Sequence, residues 1–235
     1  MNFSIVVPIY NEEDNIAELY RAITTALDGS DTNYEIIMVD DGSADGSFSA
    51  LKQIAAQDQR VKVIRFRRNF GQTAAMSAGF DAAAGDIIIP MDGDLQNDPR
   101  DIPRMLACLD GYDAVTGWRQ RRDDPWLKRV SSRVANAVRN AITREDVHDS
   151  ACTLRVMRRG CLGCLPRFRG FHRFVPTLLR MAGCRVLELP VSHRARRFGV
   201  SHYGIRNRAL VAFEDLLAVR WMQSRRLRYD ASEEP

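Results

Sequence analysis

The chain has 235 residues and a mass of 26.6 kDa, with 45% apolar and 27% charged side chains. That composition excludes a disordered, collagen-like or disulfide-scaffold protein, and a chain this long buries roughly 70% of its unfolded surface without needing a metal or staple for its core. The net charge of +4 hides an imbalance: 9 basic against 19 acidic side chains in residues 1–117, and 25 against 11 in 118–235, or −10 and +14.

In chain order, Phe3–Ile9 is a short apolar run that predicts a buried strand. The polar and acidic stretch Asn11–Asn15 supplies capping chemistry for a helix running to about Leu27. Glu35–Val39 predicts a second strand, the turn Asp40-Asp41-Gly42-Ser43 follows, and a helix runs to about Gln57. Val61–Phe66 predicts a third strand, and Asn69-Phe70-Gly71 leads into an alanine-rich helix over Thr73–Ala84. Asp86–Met91 predicts a fourth strand ending in Asp92-Gly93-Asp94, then a helix over Asp101–Leu109 and a strand over Asp113–Gly117.

Strands alternating with helices predict an α/β domain with a mostly parallel sheet flanked by helices. In such sheets ligands sit beyond the carboxyl ends of the strands. The polar clusters at Tyr10-Asn11-Glu12, Asp40-Asp41 and Asp92–Asp94 each follow a strand, so they are expected to converge on one crevice.

The second half is less regular. Arg119–Asp124 reads as a polar loop, Trp126–Ile142 and Phe171–Met181 as helices, and Arg185–Val191 as a strand. Ser192–Gly204 reads as a loop. Apolar residues at 205, 209, 210, 213, 216, 217 and 221 have helical spacing, with arginines at both ends of the segment. An apolar stripe flanked by arginines suits a membrane interface, and Trp221 suits that boundary. The other reading is a helix packed on its own core or on a second copy. No apolar run approaches the ~20 residues that span a bilayer, and Met1–Glu13 lacks the features of a secretory signal. The expected location is therefore the cytoplasm.

Five cysteines show no framework spacing; Cys161 and Cys164 form a lone CxxC, read as reduced thiols in or near the core rather than as a zinc site. The basic residues are nearly all arginine, with lysine only at 52, 62 and 128. Arginine's planar fork suits phosphate recognition, so the basic half is expected to face an anion. Nucleic-acid binding would call for interleaved aromatics or a recognition helix, and the sequence has neither.

Asp92-Gly93-Asp94 places two carboxylates one residue apart in a strand-end loop. Hard oxygen ligands at that spacing suit Mg²⁺ or Mn²⁺, which keeps waters and bridges to substrate phosphates; solvated turn aspartates would look the same. There is no GxGxxG and no Walker lysine motif.

Four motifs together carry more. Val6-Val-Pro-Ile-Tyr-Asn-Glu-Glu13, Val39-Asp-Asp-Gly-Ser43, Arg68-Asn-Phe-Gly-Gln72 and Met91-Asp-Gly-Asp-Leu-Gln-Asn-Asp-Pro99 resemble, in order and spacing, the family 2 glycosyltransferases of the GT-A (Rossmann-like) fold. Asp149–Arg155 and Pro190–Gly204 make the sequence similar to the polyprenyl-phosphate glycosyltransferases, the group that includes dolichyl-phosphate mannose synthase. The resemblance covers residues 3–204. It implies a glycosyltransferase domain over 1–204, with 1–117 as the nucleotide-sugar and metal half and 118–204 as the acceptor half. Residues 205–235 would form an amphipathic, membrane-interfacial helix and tail.

The resemblance also implies roles. Pro8, Tyr10, Glu12 and Asp41 would hold the base and ribose, with Asp40 supporting that loop. Asp92 would lie by the ribose and the metal, and Asp94 and Gln96 would bind the divalent ion. Arg119, Arg129, Ser132 and Arg133 would grip the lipid phosphate. Arg196, Ser201 and Tyr203 would close over the nucleotide diphosphate, where His202 replaces the lysine frequent in the family. Asp149 stands where sugar-acceptor relatives place a base, although arginine pairing or helix capping is the other reading. The implied activity is metal-dependent, inverting transfer of a sugar from a UDP- or GDP-linked donor to polyprenyl phosphate at the cytoplasmic membrane face. The implied partners are the membrane surface and a small membrane protein or a second copy of the chain. A saccharide acceptor in cell-envelope polysaccharide synthesis and a non-catalytic nucleotide- or membrane-binding subunit are the alternatives. The Gln-x-x-Arg-Trp motif of polymerising members is absent, since Arg220-Trp221 lacks the glutamine.

Overall fold

The computed structural model describes residues 2–28, 33–119, 136–150, 152–194 and 205–226. Seven strands form one sheet in the order β3-β2-β1-β4-β6-β5-β7. These are β1 (Asn2–Ile9), β2 (Asn33–Asp40), β3 (Val61–Arg65), β4 (Ile87–Pro90), β5 (Ala114–Arg119), β6 (Arg155–Arg158) and β7 (Val186–Val191). The expected alternation is present through β5. All neighbouring pairs are parallel except those of β6, which runs antiparallel to both β4 and β5. β6 was not foreseen: four residues carry no local periodicity, and only their neighbours make them a strand.

The helices are α1 (Glu13–Leu27), α2 (Ser47–Gln57), α3 (Gln72–Ala82), α4 (Ile102–Ala107), α5 (136–143), α6 (Gly160–Gly163), α7 (Val175–Met181) and α8 (Ile205–Ser224). Alternation along the strands divides the core. Phe3, Ile5, Val7 and Ile9 of β1 face a cluster with Ile16, Leu19 and Ile23 of α1, Leu51 of α2 and Met105 of α4. Val6, Ile37, Val39 and Ile88 face the other side, against Ala75, Met76 and Phe80 of α3, Phe171, Leu178, Leu216 and Val219.

Helix α8 thus has two apolar faces. Leu216 and Val219 are buried in the second cluster, whereas Phe213, Leu217 and Trp221, spaced by four, are 48%, 48% and 62% exposed. No helix among the described residues is long and apolar enough to cross a membrane.

The order of the strands matters for function. β1 pairs with β2 on one side and β4 on the other, so successive crossovers leave β1 in opposite directions. A crevice opens at such a switch point, beyond the carboxyl ends. The chain there is Ile9–Glu12 on one wall and Pro90–Asp94 on the other.

Candidate active site

The loops after β1 and β2 are stitched together. Asn11 N donates to Ser43 Oγ at 3.0 Å, Glu12 N to Ser47 Oγ at 2.9 Å, and Ala44 N to Asn11 Oδ1 at 2.8 Å. Asp40, fully buried, accepts from Ser43 N at 3.0 Å and meets Arg65 Nε at 3.5 Å. Asp41 accepts from Asn69 Nδ2 at 3.0 Å, Phe70 N at 2.7 Å and Gly71 N at 2.9 Å. Burial pushes its carboxyl above the usual range, against the two backbone donors. Glu12 accepts from Asn15 Nδ2. The carboxylates of Asp40 and Asp41 therefore hold the loops that frame the crevice, while that of Glu12 meets Asn15 on the first turn of α1. Gly42 adopts φ +71°, and a Cβ there would lie 2.4 Å from the Arg68 backbone; only glycine lets these two loops touch. Pro8 and Tyr10 are half-buried on the same rim.

The second wall is the Asp92-Gly93-Asp94 loop. A Cβ on Gly93 would meet Ile9 Cδ1 at 2.7 Å and Pro8 O at 3.1 Å, so the backbone packs directly on β1. Leu95 follows with φ +61°, a left-handed conformation that costs a non-glycine residue ~1–2 kcal/mol. Its side chain is buried, which offsets that cost. The turn is locked by Asp92 N to Asn97 Oδ1 at 3.1 Å and Gln96 N to Asp94 Oδ1 at 3.1 Å.

Around Asp92 the tertiary structure assembles residues that local sequence did not single out. Gln72 Nε2, at the start of α3, donates to Asp92 Oδ1 at 2.8 Å. Thr153 and the cation Arg155 also stand near it, as does Arg119, which the resemblance had already marked. Burial, then the charge of Asp94, nevertheless pushes the Asp92 carboxyl well above the ordinary range. Asp92 and Asp94 thus place two hard oxygen donors in one hydrogen-bonded turn. That fits a hard divalent cation. Among the described residues no three His, Cys, Asp or Glu side chains are placed to hold a metal, so Asp92 and Asp94 would supply the charged ligands. Gln96, water and ligand oxygens would complete the shell.

Arg119 ends β5 and is gripped by Asp149: Nε to Oδ2 is 2.6 Å and Nη2 to Oδ1 is 3.0 Å, with the side chains 16% and 4% exposed. Asp149 is thus paired with an arginine at the end of β5. Arg155 lies behind this pair, fully buried. Its Nη2 donates to Ser150 O at 3.0 Å, while Nε and Nη1 have no hydrogen-bond partner among the described residues. Burial lowers its pKa, which the charges of Asp92 and Asp149 oppose.

The segment after β7 is pinned across the Asp92–Asp94 loop. Ser192 N donates to Asp101 Oδ2 at 2.7 Å, Arg194 N to Gln96 O at 3.0 Å, and Arg194 Nη2 to Asp98 Oδ2 at 2.8 Å. Asn97 and His193 form a β-bridge that brings His193 Nε2 within 3.5 Å of Gln96 Nε2. Arg194, the last described residue of this segment, therefore lies directly beside Gln96. Arg129, Ser132, Arg133, Arg196, Ser201, His202 and Tyr203 lie outside the described residues, as does most of the helix expected over Trp126–Ile142.

The profile described as glycosyl transferase family 2 matches residues 4–165. The chain is 39% identical over 225 residues to dodecaprenyl-phosphate galacturonate synthase of Rhizobium johnstonii, covering 93% of this chain and 66% of that protein. It is 38% identical over 204 residues to undecaprenyl-phosphate 4-deoxy-4-formamido-L-arabinose transferase of Edwardsiella ictaluri, covering 86% and 63%. It thus spans a little under two thirds of the length of these relatives. Glucosyl-3-phosphoglycerate synthase from Mycobacterium tuberculosis, solved with Mn²⁺, UDP and glucosyl-3-phosphoglycerate, superposes with a TM-score of 0.70 at 21% identity, covering 94% of this chain and 79% of that one. The same enzyme with Mg²⁺ and UDP gives 0.69 at 20% identity, with the same coverage. At that identity the likeness shows the fold, which is the GT-A fold expected from the sequence.

Proposed function

The chain belongs to glycosyl transferase family 2, and from that premise we propose that it moves a sugar from a nucleotide-sugar donor, UDP- or GDP-linked, to a polyprenyl phosphate, with inversion at the anomeric carbon. The observation that carries this reading is the juxtaposition at the strand ends. The carboxylates of Asp92 and Asp94 share one strand-end loop, and Arg119 at the end of β5 stands near Asp92. The two relatives at 38–39% identity are both named for polyprenyl-phosphate acceptors.

Asp92, Asp94 and Gln96 would hold a divalent ion, Mg²⁺ or Mn²⁺. When bound, it supplies positive charge against the donor's diphosphate. The chain's own residues do the rest. The stitched loops at Asn11–Glu12 and Asp40–Ser43 form the base and ribose wall, and Gln72 fixes the Asp92 carboxylate. The acceptor is a phosphate monoester, anionic and nucleophilic at neutral pH, so no strong general base is required. The task is to bring two mutually repelling anions together. Arg119 serves that task, and Asp149 holds its guanidinium in one orientation. Arg129, Ser132 and Arg133 would extend the acceptor-phosphate site, and Arg196, Ser201 and Tyr203 would cover the diphosphate.

The exposed stripe Phe213, Leu217 and Trp221 supports peripheral attachment to a membrane surface, where a polyprenyl acceptor resides. The test is a transfer assay with undecaprenyl phosphate in detergent, Mn²⁺ or Mg²⁺, and a panel of radiolabelled nucleotide sugars. Metal-dependent, acid-labile label in the organic phase is the expected result, and it is lost in Asp94→Ala. No lipid label with any donor, alongside measurable nucleotide binding, overturns the acceptor assignment.

A further inference from the structure

Gln72, the first residue of α3, donates from Nε2 to Asp92 Oδ1 at 2.8 Å. The residues on either side of it are both pinned. Before it, Gly71 N donates to Asp41 Oδ2 at 2.9 Å. After it, Thr73 Oγ1 accepts from Gly170 N at 3.1 Å and lies 2.9 Å from His172 Nδ1. A hydroxyl has one proton and two lone pairs. With Gly170 N–H on one lone pair, the Thr73 proton is available to Nδ1 of a neutral imidazole. One side chain of α3 thus serves two groups on a single turn, 170–173, from the other half of the chain.

That turn is a firm anchor. Phe171, between the two groups, is fully buried, with its ring centroid 6.5 Å from those of Phe80 on α3 and Phe168. Gly170 adopts φ +100°, and a Cβ there would collide with Asp215 Oδ2 of α8. Arg173 Nη1 meets the same carboxylate oxygen at 3.6 Å. The packing of Phe171 on Phe80 already holds α3 to the turn. The Thr73 bonds add a directional constraint at one point, next to Gln72. A glutamine loses much rotamer freedom when its amide is held, and fixing the backbone on both sides of it lessens that loss.

We propose that Thr73 and His172 are positioning residues for the Asp92–Asp94 loop, acting through Gln72. They hold the start of α3 so that the Gln72 amide meets Asp92 Oδ1 and the carboxylate is fixed in one orientation before a divalent ion arrives. Hydrogen-bond partners of ligating carboxylates tune metal affinity in this way. The inference rests on the reading of Asp92 and Asp94 as metal ligands given above, and it adds to that reading two residues that touch neither the metal loop nor a substrate.

The test titrates the whole chain, stripped of metal, with Mn²⁺ alone, the free ion being counted by electron paramagnetic resonance. Gln72→Leu is expected to weaken Mn²⁺ binding about tenfold, and Thr73→Val, which removes both bonds at similar volume, about three- to tenfold. Thr73→Ser keeps the hydroxyl and is expected to bind as wild type does. In a Gln72→Leu background Thr73→Val should add no further loss, because the two act as one unit. A merely structural Thr73 would lower Tm and leave the dissociation constant unchanged. His172→Phe, which keeps the ring and removes Nδ1, should weaken binding in the same direction, and it carries the test should Thr73→Val fail to fold. Asp94→Ala separates the two readings. If it loses Mn²⁺ while Thr73→Val binds like wild type, or if Thr73→Val costs as much without Gln72 as with it, the positioning role is wrong and the metal site stands. If Asp94→Ala binds Mn²⁺ like wild type, the metal site is wrong and the positioning role falls with it.

Discussion

Asp149→Asn tests the electrostatic design of the acceptor side. The substitution keeps shape and one acceptor oxygen, but leaves the Arg119 guanidinium without its counter-charge. Arg119 is 16% exposed and Asp149 4% exposed, joined by bonds of 2.6 and 3.0 Å. Breaking a buried pair from one side costs ~3–5 kcal/mol because a buried charge is left behind. The retained acceptor and the residual exposure of Arg119 reduce this to about 2–4 kcal/mol. A chain of this size loses about 2–4 °C in Tm per kcal/mol, so a drop of roughly 5–15 °C is expected. Urea unfolding followed by circular dichroism should show the midpoint move with the slope unchanged. Replacing both partners, as in Arg119→Met with Asp149→Leu, should recover most of the loss, since no unpaired charge remains. Transfer should still fall in the double variant. A loss below about 0.5 kcal/mol in Asp149→Asn would show that the pair does not carry the charge balance argued here.

Three further outcomes follow from the same geometry. Asp94→Asn removes repulsion with Asp92, so stability should hold or rise by up to about 1 kcal/mol, while the Mn²⁺-induced rise in Tm disappears; scanning fluorimetry with and without Mn²⁺ measures both. Asp92 titrates in the folded protein near about 6, above its unfolded value. The folded state therefore binds more protons between pH 4 and 6, and this group's contribution to stability falls as pH rises through that window. Comparing metal-free unfolding free energies of wild type and Asp92→Asn against pH should show the slope only in the wild type. On α8, Leu217→Asp should weaken sedimentation with anionic vesicles several-fold at unchanged Tm, whereas Val219→Ala, which cuts into the core, should cost about 1–2 kcal/mol and leave vesicle binding intact.

Much of the fold was legible in local order. Apolar runs at Phe3–Ile9, Glu35–Val39, Val61–Phe66 and Asp86–Met91 became β1 to β4; β1, β2 and β4 are largely apolar because they are covered on both faces, while β3 at the sheet edge carries Lys62 and Arg65. Capping chemistry located α1, alanine content α3 and helical spacing α8. The convergence of Asn11, Asp40 and Asp92 followed from the rule that parallel strands deliver their carboxyl ends to one edge. What failed locally was short or non-local. β6 has four residues and exists by pairing with β4 and β5. On α8 the apolar spacing was visible, but its division into a buried face and an exposed one depends on where the helix docks.

The sequence alone determined the element order, the parallel crossovers and the acidic loop at Asp92–Asp94, since periodicity and turn chemistry are properties of neighbours along the chain. Only the tertiary structure decided which groups surround that loop. It brought Gln72 from twenty residues upstream and Thr153 and Arg155 from the second half to Asp92. It placed His193 against Gln96 and paired Asp149 with Arg119. It also showed that the carboxylates of Asp40 and Asp41 brace the loops. A carboxylate's partner is set by which backbone N–H or cation comes within 3 Å, and that distance is fixed by packing across the sheet.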